Sequence, residues 1–534
     1  MVPRARQTRA AVLLAATLAV MVLCLPCEAC DDVAKPRPPS DLPIGHWAYP
    51  LLERLSARGV LSLDMTTLPL SRSDVASELA ARNGATENPA GRGLSPRERW
   101  ALDALAAEFL RGEVEEPVFS RVSGGAALGF GLLLGSEVLY DSEGAGESSG
   151  SGSDIDASID VTYELWGGVG RRLGFYADTS ILLEGQDGPR VEALSSRART
   201  WRGTAVHADR AYLKYEGEHL SAAVGRRGVA WGRSPGGRLL LSGGAPTLDC
   251  VEARFTVGAL ELQALHSFLE RTELDELGGA DSLAQASGQT FLAAHRAVFS
   301  GSWGSVGVGE AVVYSGDLPD PSYLNPLLPY YVSQHNERAD DNILWALDFL
   351  ARPLSGLDLW GEFLVDDLQY DRDTGAPDKY GATVGAKYFG TLGRGDYEAT
   401  WEYTNVRKWT YTHHVAGHRY THDGEPLGFE LGPDADRLSA EVAYHPWPRW
   451  TCGAGYSFSR EGDGNIGLPF QKGEDDEPTF PSGNVTKTHR AKAFLEYDRP
   501  GRFSASLGGS LAFQTDDEED DDSYEVWARV LFRI

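Results

Sequence analysis

Beyond its first 25 residues the chain has no long hydrophobic run. A helix that spans a membrane needs about 20 consecutive apolar residues, so this sequence excludes a helical membrane protein. The 534 residues are on average slightly polar, with a mean hydropathy of −0.29, although 10% are aromatic and 61 are glycine. This composition is typical of strands that are apolar on one side only.

Positive charge is scarce, since 49 Lys and Arg stand against 77 Asp and Glu and give a formal net charge of −28. Such an acidic chain argues against nucleic acid as a partner. The acidity is concentrated in residues 474–477 and 516–522. We expect these runs to be solvated external loops, and the alternative is weak binding of a divalent cation.

Cysteine is also scarce, and three of the five cysteines lie within the first 30 residues. Arginines precede an apolar run there and small residues follow it, which predicts a cleaved secretory signal at residues 1–29. Cleavage would leave Cys30 first and open to lipidation, but Cys27 stands where a lipoprotein signal usually has Leu. The spacing of Cys250 and Cys452 leaves open whether they form a disulfide.

Alternating apolar and polar residues dominate the chain from residue 118 onward, and the pattern is clearest between residues 343 and 367. Because alternate side chains share one face of a strand, Trp345, Leu347 and Phe349 form an apolar face there. Each arm of this hairpin is about ten residues long, enough for a tilted strand to cross a bilayer. We predict an all-β transmembrane barrel of about 18 antiparallel strands over residues 118–534, the first running from 118 to 140.

The connections between the predicted strands alternate between short and long. Outer-membrane barrels have short periplasmic turns and long external loops, so this parity favours a barrel over a soluble sandwich or propeller. The last segment resembles the C-terminal signal that barrel-insertion machinery recognises, with Phe532 in its pattern, although Ile534 replaces the usual terminal aromatic. We therefore expect an outer-membrane protein of a Gram-negative-type cell, in contact with outer-membrane lipid.

A helical periodicity appears only in residues 45–112, after an extended linker at residues 30–44. Residues 45–48 and 69–75 of this predicted periplasmic module resemble one S-layer-homology repeat. The resemblance implies contact with peptidoglycan through His46, Trp47 and Arg72. The alternative is that the helices plug or brace the barrel.

Three blocks of loop sequence resemble the Wzi-type capsule-assembly outer-membrane proteins. They are residues 225–246 with Trp231-Gly232-Arg233, residues 323–342 with Tyr323-Leu324-Asn325-Pro326, and residues 420–434. The resemblance covers roughly residues 118–534 and lies in the ordered series rather than in any single motif. It implies an 18-stranded barrel that helps to anchor capsular or other surface polysaccharide.

Glycans are held by aromatic faces and by planar polar groups that bridge hydroxyls, with Arg added for acidic sugars. On this basis we predict an external glycan site. Its candidate residues are Arg226, Trp231, Arg233, Tyr323, Asn325, Asn336, Asp341 and Asn342. The alternative is that these aromatics form the interfacial girdle and that the arginines pair with carboxylates in the lumen.

The sequence predicts no catalytic residues, no cofactor and no metal site. Residues 146–150 match a nucleophile elbow only formally, because they lie in a Gly/Ser linker. His414, His418 and His422 recur at four-residue intervals beside His413, but nearby glycines disfavour the helix that would align them for a metal. We therefore predict non-enzymatic glycan binding. The runner-up is a porin or sugar channel, and a third possibility is an outer-membrane enzyme.

Overall fold

The computed structural model describes most of residues 38–534, which belong to one compact unit. The gaps are residues 83, 85–86, 88–90, 92, 124–125, 143–152, 185–199, 202, 270–288, 338, 369–376, 476–477 and 517–519. The predicted signal, Cys30 and the elbow-like segment 146–150 lie outside the described residues, as do parts of the linker and of both acidic runs.

A closed antiparallel barrel makes up most of the molecule. Its strands are β1 Ala126–Ser142, β2 Ser153–Val169, β3 Leu173–Leu183, β4 Ala211–Glu216, β5 Leu220–Arg227, β6 Leu248–Val257, β7 Leu260–Phe268, β8 Gln289–Gly301, β9 Gly304–Gly316, β10 Asn342–Leu354, β11 Leu357–Asp367, β12 Lys379–Leu392, β13 Gly395–Val406, β14 Ala435–Trp447, β15 Trp450–Glu461, β16 Thr486–Arg499, β17 Phe503–Thr515 and β18 Asp520–Arg533. The piece Thr204–His207 precedes β4 and pairs with the same neighbour, β3.

Each strand pairs with its neighbours in the chain, and β18 pairs with β1 to close the ring. The prediction of 18 strands is confirmed. The expected alternation is confirmed too, since Leu347 and Phe349 are exposed on the outer face while Asp358 and Trp360 are fully buried inside. Cys250 and Cys452 are both free thiols.

One strand boundary was wrong. The predicted strand at residues 118–140 is two pieces, because Phe119–Ser123 folds back and pairs with the start of β1 from Ala126 to Phe130. Two glycines separate these pieces in the sequence, and a Gly-Gly pair suits a tight hairpin turn.

The helical prediction holds for α1 Ala48–Ala57, α2 Arg72–Arg82 and α3 Pro96–Ala106, which continues into a π-helical turn at Ala107–Arg111. Ser95 and Glu98 form a capping box that starts α3. The helices share an apolar core of their own around Leu52, Leu55 and Val75. Within the described part of the chain, no helix has the length and apolar character to span a membrane.

These helices close the end of the barrel that carries the short turns. The backbone N–H of Gly356, in the turn between β10 and β11, donates to the Ala57 carbonyl at 2.7 Å. Arg97 donates to the carbonyl of Pro448 in another short turn at 2.7 Å, and Arg54 pairs with Asp396 at 2.9 Å. The helices therefore brace this end of the barrel, and its periplasmic location stays a prediction from the short turns.

Two long connections leave the opposite end and pack on different sides of the barrel wall. Residues 228–247, which we call the inner loop, enter the lumen, where Ala230–Trp231 pairs with Thr67–Leu68 beside the helices. Residues 317–341, which we call the outer collar, include helix α4 Tyr330–Glu337. The collar covers Phe291, Val312 and Tyr314, whose side chains point outward from the wall.

Candidate functional site

The inner loop places two predicted glycan ligands inside the barrel. Trp231 is 2% exposed, and its backbone N–H donates to the Leu241 carbonyl at 2.9 Å. Arg233 is 3% exposed, lies 3.4 Å from both Glu53 and Asp358, and stacks over the Trp360 ring.

The prediction that these two residues lie on an external surface was wrong. The loop turns inward because the barrel offers carboxylates to its polar groups, and burial of its apolar residues in the lumen stabilises that path. Ser234 donates to Glu402 at 2.6 Å, and the Leu239 N–H donates to Glu362 at 2.9 Å. The alternative reading, in which arginines pair with lumenal carboxylates, describes Arg233 correctly.

A packed column continues from the inner loop to the external end. The hydroxyls of Tyr411 and Tyr420 donate to the carbonyls of Leu239 and Leu240 at 2.8 and 2.7 Å. These side chains join Leu427 and other buried residues in the largest apolar cluster of the described chain. At its other end the column reaches the helices, where the Gly232 N–H donates to the Thr66 carbonyl at 2.8 Å. The column therefore runs from the helices to the external loops on the side of the lumen that the inner loop occupies.

Arg226 lies elsewhere. It ends β5 on the outward face and makes a two-pronged ion pair with Asp249, with N–O distances of 2.9 and 2.6 Å. Arg226 and Arg233 therefore belong to opposite sides of the wall, and the structure does not bring them into one site.

The remaining predicted residues lie on or beside the outer collar. The Tyr323 hydroxyl donates to Asp341 at 2.6 Å, and Gln334 donates to the Asp341 carbonyl at 2.8 Å. Burial raises the pKa of Asp341 to about 6, even though the Tyr323 hydroxyl favours the ionised form. Asn342 is buried and donates to the His418 carbonyl at 2.8 Å. Tyr323 and Asp341 thus join the two ends of the collar to each other, whereas Asn342 joins the start of β10 to the loop between β13 and β14.

Among the predicted residues of the outer collar, Asn325 and Asn336 are exposed to solvent. The Asn325 side-chain oxygen accepts from the Leu327 N–H at 3.1 Å, which leaves its amide nitrogen directed outward. Tyr331 is exposed on α4 beside them, with its ring roughly parallel to that of His335. An exposed aromatic ring near two exposed amides has the chemistry that sugars use.

The loop histidines are not aligned on an α-helix, as the glycines had indicated. This loop contains a short 3-10 turn at Ala416–His418, followed by the antiparallel pairing of Thr421–His422 with Glu425–Pro426. Instead, His413 and His414 face Asp340, which the sequence reasoning had not singled out. The nearby His413 ring lowers the pKa of Asp340 to about 2, while burial lowers the pKa of His418 to about 4. Asp340 lies 73 residues before His413, so no local pattern could have paired them.

The three residues predicted to touch the cell wall converge on one another. Glu115 accepts hydrogen bonds from His46 at 2.6 Å, Trp47 at 2.9 Å and Arg72 at 2.7 Å. Arg72 also donates to Glu108 at 2.6 Å. These contacts join the start of α1 to α2 and to the segment after α3. Contact with peptidoglycan stays a prediction.

The family model described as "Capsule assembly protein Wzi" matches residues 139–522. No curated protein sequence matches the chain. Among solved structures, the chain is similar to Wzi of Escherichia coli, described as an outer membrane protein involved in group 1 capsule assembly and as a carbohydrate binding beta-barrel. The identity is 15% and the TM-score 0.60, over 91% of this chain and 97% of that chain.

Two weaker similarities are to OccD3 (OpdP) of Pseudomonas aeruginosa and OccAB4 of Acinetobacter baumannii. The first has 12% identity and a TM-score of 0.43 over 79% of this chain and 96% of that one. The second has 8% identity and a TM-score of 0.42 over 76% and 98%. With TM-scores below 0.5, neither similarity indicates a function for this chain.

Proposed function

Because the chain belongs to the capsule assembly protein Wzi family, we propose that it attaches or assembles capsular or another surface polysaccharide at the outer membrane. It does so by binding the glycan, without catalysis. The fold shared with a barrel described as carbohydrate binding supports this proposal.

The observation that carries the proposal is the inner loop packed inside the lumen. A diffusion channel needs a continuous water-filled path, whereas here Trp231, Arg233 and Leu239 are buried across the interior. The inner loop is hydrogen-bonded to the helices at Thr66 and to the external loops at Tyr411. Function is then left to the external surface, which favours attachment over transport.

The glycan site that we propose is the exposed side of the outer collar, around Asn325, Tyr331 and Asn336. Amide groups bridge neighbouring hydroxyls and the tyrosine ring packs against a sugar face. Tyr323 acts beneath this surface, because it packs on the barrel wall and its hydroxyl donates to Asp341 at the other end of the collar. Arg226 offers a charged group at the outer rim, suited to an acidic sugar.

The test is binding of polysaccharide extracted from the same cells to the purified barrel in detergent. We expect saturable binding, and we expect the double variant Asn325→Ala/Asn336→Ala to bind at least about fivefold more weakly, from the loss of two modest hydrogen bonds. The control is Asn484→Ala, an exposed asparagine on another external loop. Equal binding by all three proteins would remove the collar from the site.

Liposome swelling distinguishes the proposal from the channel alternative. Polysaccharide binding without steady solute flux is the expected result. Flux without polysaccharide binding would overturn the proposed function and favour a porin or sugar channel.

Export, insertion and cell-wall contact are part of the same proposal. We infer that the signal is cleaved after Ala29 and that barrel-assembly machinery reads the β18 pattern ending near Phe532. We also infer that the helices contact peptidoglycan. Mass determination of the mature N-terminus tests the first. Membrane yield of Phe532→Ser tests the second, and co-sedimentation with purified peptidoglycan tests the third.

A further inference from the structure

Three side chains from two distant segments meet at the external end of the barrel. Asp340 ends the outer collar, while His413 and His414 belong to the loop between β13 and β14. The His414 Nε2 atom lies 2.9 Å from Asp340 Oδ2, and His413 Nε2 lies 3.7 Å from Asp340 Oδ1. One ligand atom from each residue lies within 4.8 Å of the other two.

These separations suit a small tetrahedral or distorted cation site. With metal–nitrogen and metal–oxygen bonds of about 2.0–2.2 Å, ligand atoms of a tetrahedral site are about 3.3 Å apart. Two imidazoles and one carboxylate are ligands for borderline first-row cations, whereas Ca²⁺ and Mg²⁺ prefer oxygen alone. Such a site keeps a fourth position for water or another ligand.

His418 supplies an independent observation. It is 5% exposed, and its Nδ1 atom lies 3.0 Å from the Asp340 carbonyl, to which it donates. Its Nε2 atom then carries a lone pair, and among the described residues this buried atom has no hydrogen-bond partner. The His418 ring lies 5.2 Å from the His413 ring. A buried nitrogen lone pair without a partner calls for a water or an ion beside it.

One hydrogen bond of the structure is incompatible with metal binding and has to break when the cation binds. His413 Nδ1 accepts from the Val415 N–H at 3.1 Å, which places the proton of the neutral ring on Nε2. A cation bound at Nε2 moves that proton to Nδ1, so the ring has to turn away from Val415. Cation binding therefore also rearranges the backbone contacts of His413 in the loop between β13 and β14.

We propose that Asp340, His413 and His414 bind a divalent first-row transition cation of the Zn²⁺ class, with His418 as a neighbour able to join them. The bound ion ties the outer collar to the loop between β13 and β14. The ion therefore links a segment on the outer face of the wall to a loop at the external end of the barrel. This assignment depends on the geometry alone and not on the proposed glycan function.

The experiment uses the full barrel in detergent, without a polyhistidine tag, titrated with CoCl₂ and then with ZnCl₂. We expect one equivalent of Co²⁺ to give visible absorption bands that Zn²⁺ abolishes. The variant Asp340→Asn/His413→Gln/His414→Gln should lose the bands, and each single variant should bind at least about tenfold more weakly, because even outer-shell partners are worth that much.

The matched control is His219→Gln/His489→Gln, which removes two histidines that lie away from the three proposed ligands. It should keep the full Co²⁺ signal. Heat-modifiable migration on gels verifies that every variant is a folded barrel. Absence of Co²⁺ bands in the parent protein, or equal bands in the triple variant, would overturn the site.

A second experiment measures whether the cation links the outer collar to the loop between β13 and β14. Zn²⁺ should slow proteolytic cleavage in the outer collar of the parent protein and leave the triple variant unchanged. Equal protection of both proteins would mean that the cation acts elsewhere, which contradicts the proposal.

Discussion

The inner loop and the outer collar leave the same end of the barrel and pack against opposite faces of its wall. The inner loop buries Trp231 and Arg233 in the lumen, with 2% and 3% of their surfaces exposed. The collar instead leaves Leu318 and Leu327 78% and 77% exposed on the outside. Both loops are long and carry aromatic residues, so their own composition does not decide which face they take.

The deciding groups are carboxylates on the strands. Asp358 and Glu362 point inward and meet Arg233 and the Leu239 N–H of the inner loop. Glu310 points outward and accepts from the N–H groups of Tyr330 and Tyr331, at 2.7 and 3.0 Å, where α4 begins. A carboxylate at a helix N-terminus accepts hydrogen bonds from the free N–H groups and interacts favourably with the positive end of the helix dipole.

The two loops consequently have different surroundings. The inner loop is enclosed by protein, so substitutions in it should affect stability as substitutions in a hydrophobic core do. The collar packs on the outer face of the wall, where the Tyr331 ring lies 6.4 Å from that of the exposed Trp345. Exposed leucines at that position suit the boundary of a membrane.

The largest expected effect comes from Trp231→Ala. Removing a buried indole from the inner loop should lower the free energy of unfolding by about 3–5 kcal/mol. Urea unfolding in detergent measures this change. Trp201→Ala, at a tryptophan that is 58% exposed, should stay within about 0.5 kcal/mol. If the two variants lost the same stability, the inner loop would not be a core.

Acid should loosen the helices and the inner loop. Burial alone would raise the pKa of Glu53, but Arg233 and Lys387 hold it below its ordinary value. The pKa of Asp41 is likewise lowered, against burial, by Arg227 and Lys214. Because both folded-state pKa values are lowered, this stabilisation is present above about pH 4 and is lost as the pH falls below it.

Planar-bilayer conductance at pH 7 and pH 3 measures that loosening, and we expect it to rise at pH 3. Glu53→Gln should raise conductance at pH 7 and shrink the acid-induced step. A conductance that does not change with pH would mean that these ion pairs do not hold the lumen closed.

A smaller effect is expected for the collar. Glu310→Ala removes the acceptor at the start of α4 and should cost about 1–2 kcal/mol, mostly as local opening of residues 317–341. Limited proteolysis of the collar measures it. The control Glu425→Ala changes an exposed glutamate of another external loop. Faster cleavage in the control, or none in Glu310→Ala, would contradict the role of this carboxylate.

The smallest effect belongs to Leu327→Ala. With its side chain largely exposed, the substitution should change the free energy of unfolding in detergent by less than about 0.5 kcal/mol. The same urea titration measures it beside Trp231→Ala. A loss of several kcal/mol would show that the collar is enclosed like the inner loop, and the comparison would fail.

Sequence reasoning predicted the barrel because strand alternation is local. Leu347 and Phe349 reveal their common face within a few residues, and short turns follow long loops along the whole chain. Sequence reasoning could not predict the paths of the loops, because Arg233 pairs with Glu53 and Asp358, which are more than a hundred residues away in the sequence. An aromatic or arginine in a polar loop looks the same whether it turns inward or outward.

The candidate site divides in the same way. Asn325 and Asn336 are exposed, and that they bind a glycan stays a prediction. Asp340 was missed as a partner of His413 and His414, because only the closed barrel brings the two loops together. The four-residue spacing of the histidines was a misleading signal, whereas the adjacent pair His413 and His414 indicated the residues that meet Asp340.

The seam between β1 and β18 has a consequence for biogenesis. Val138 pairs with Ala528, so nearly the whole barrel must be made before its first strand finds its last partner. Until then two sheet edges offer unpaired N–H and C=O groups to any other chain. Contacts so distant in sequence form slowly. A nascent chain of this kind therefore depends on being shielded from aggregation until its final strand arrives.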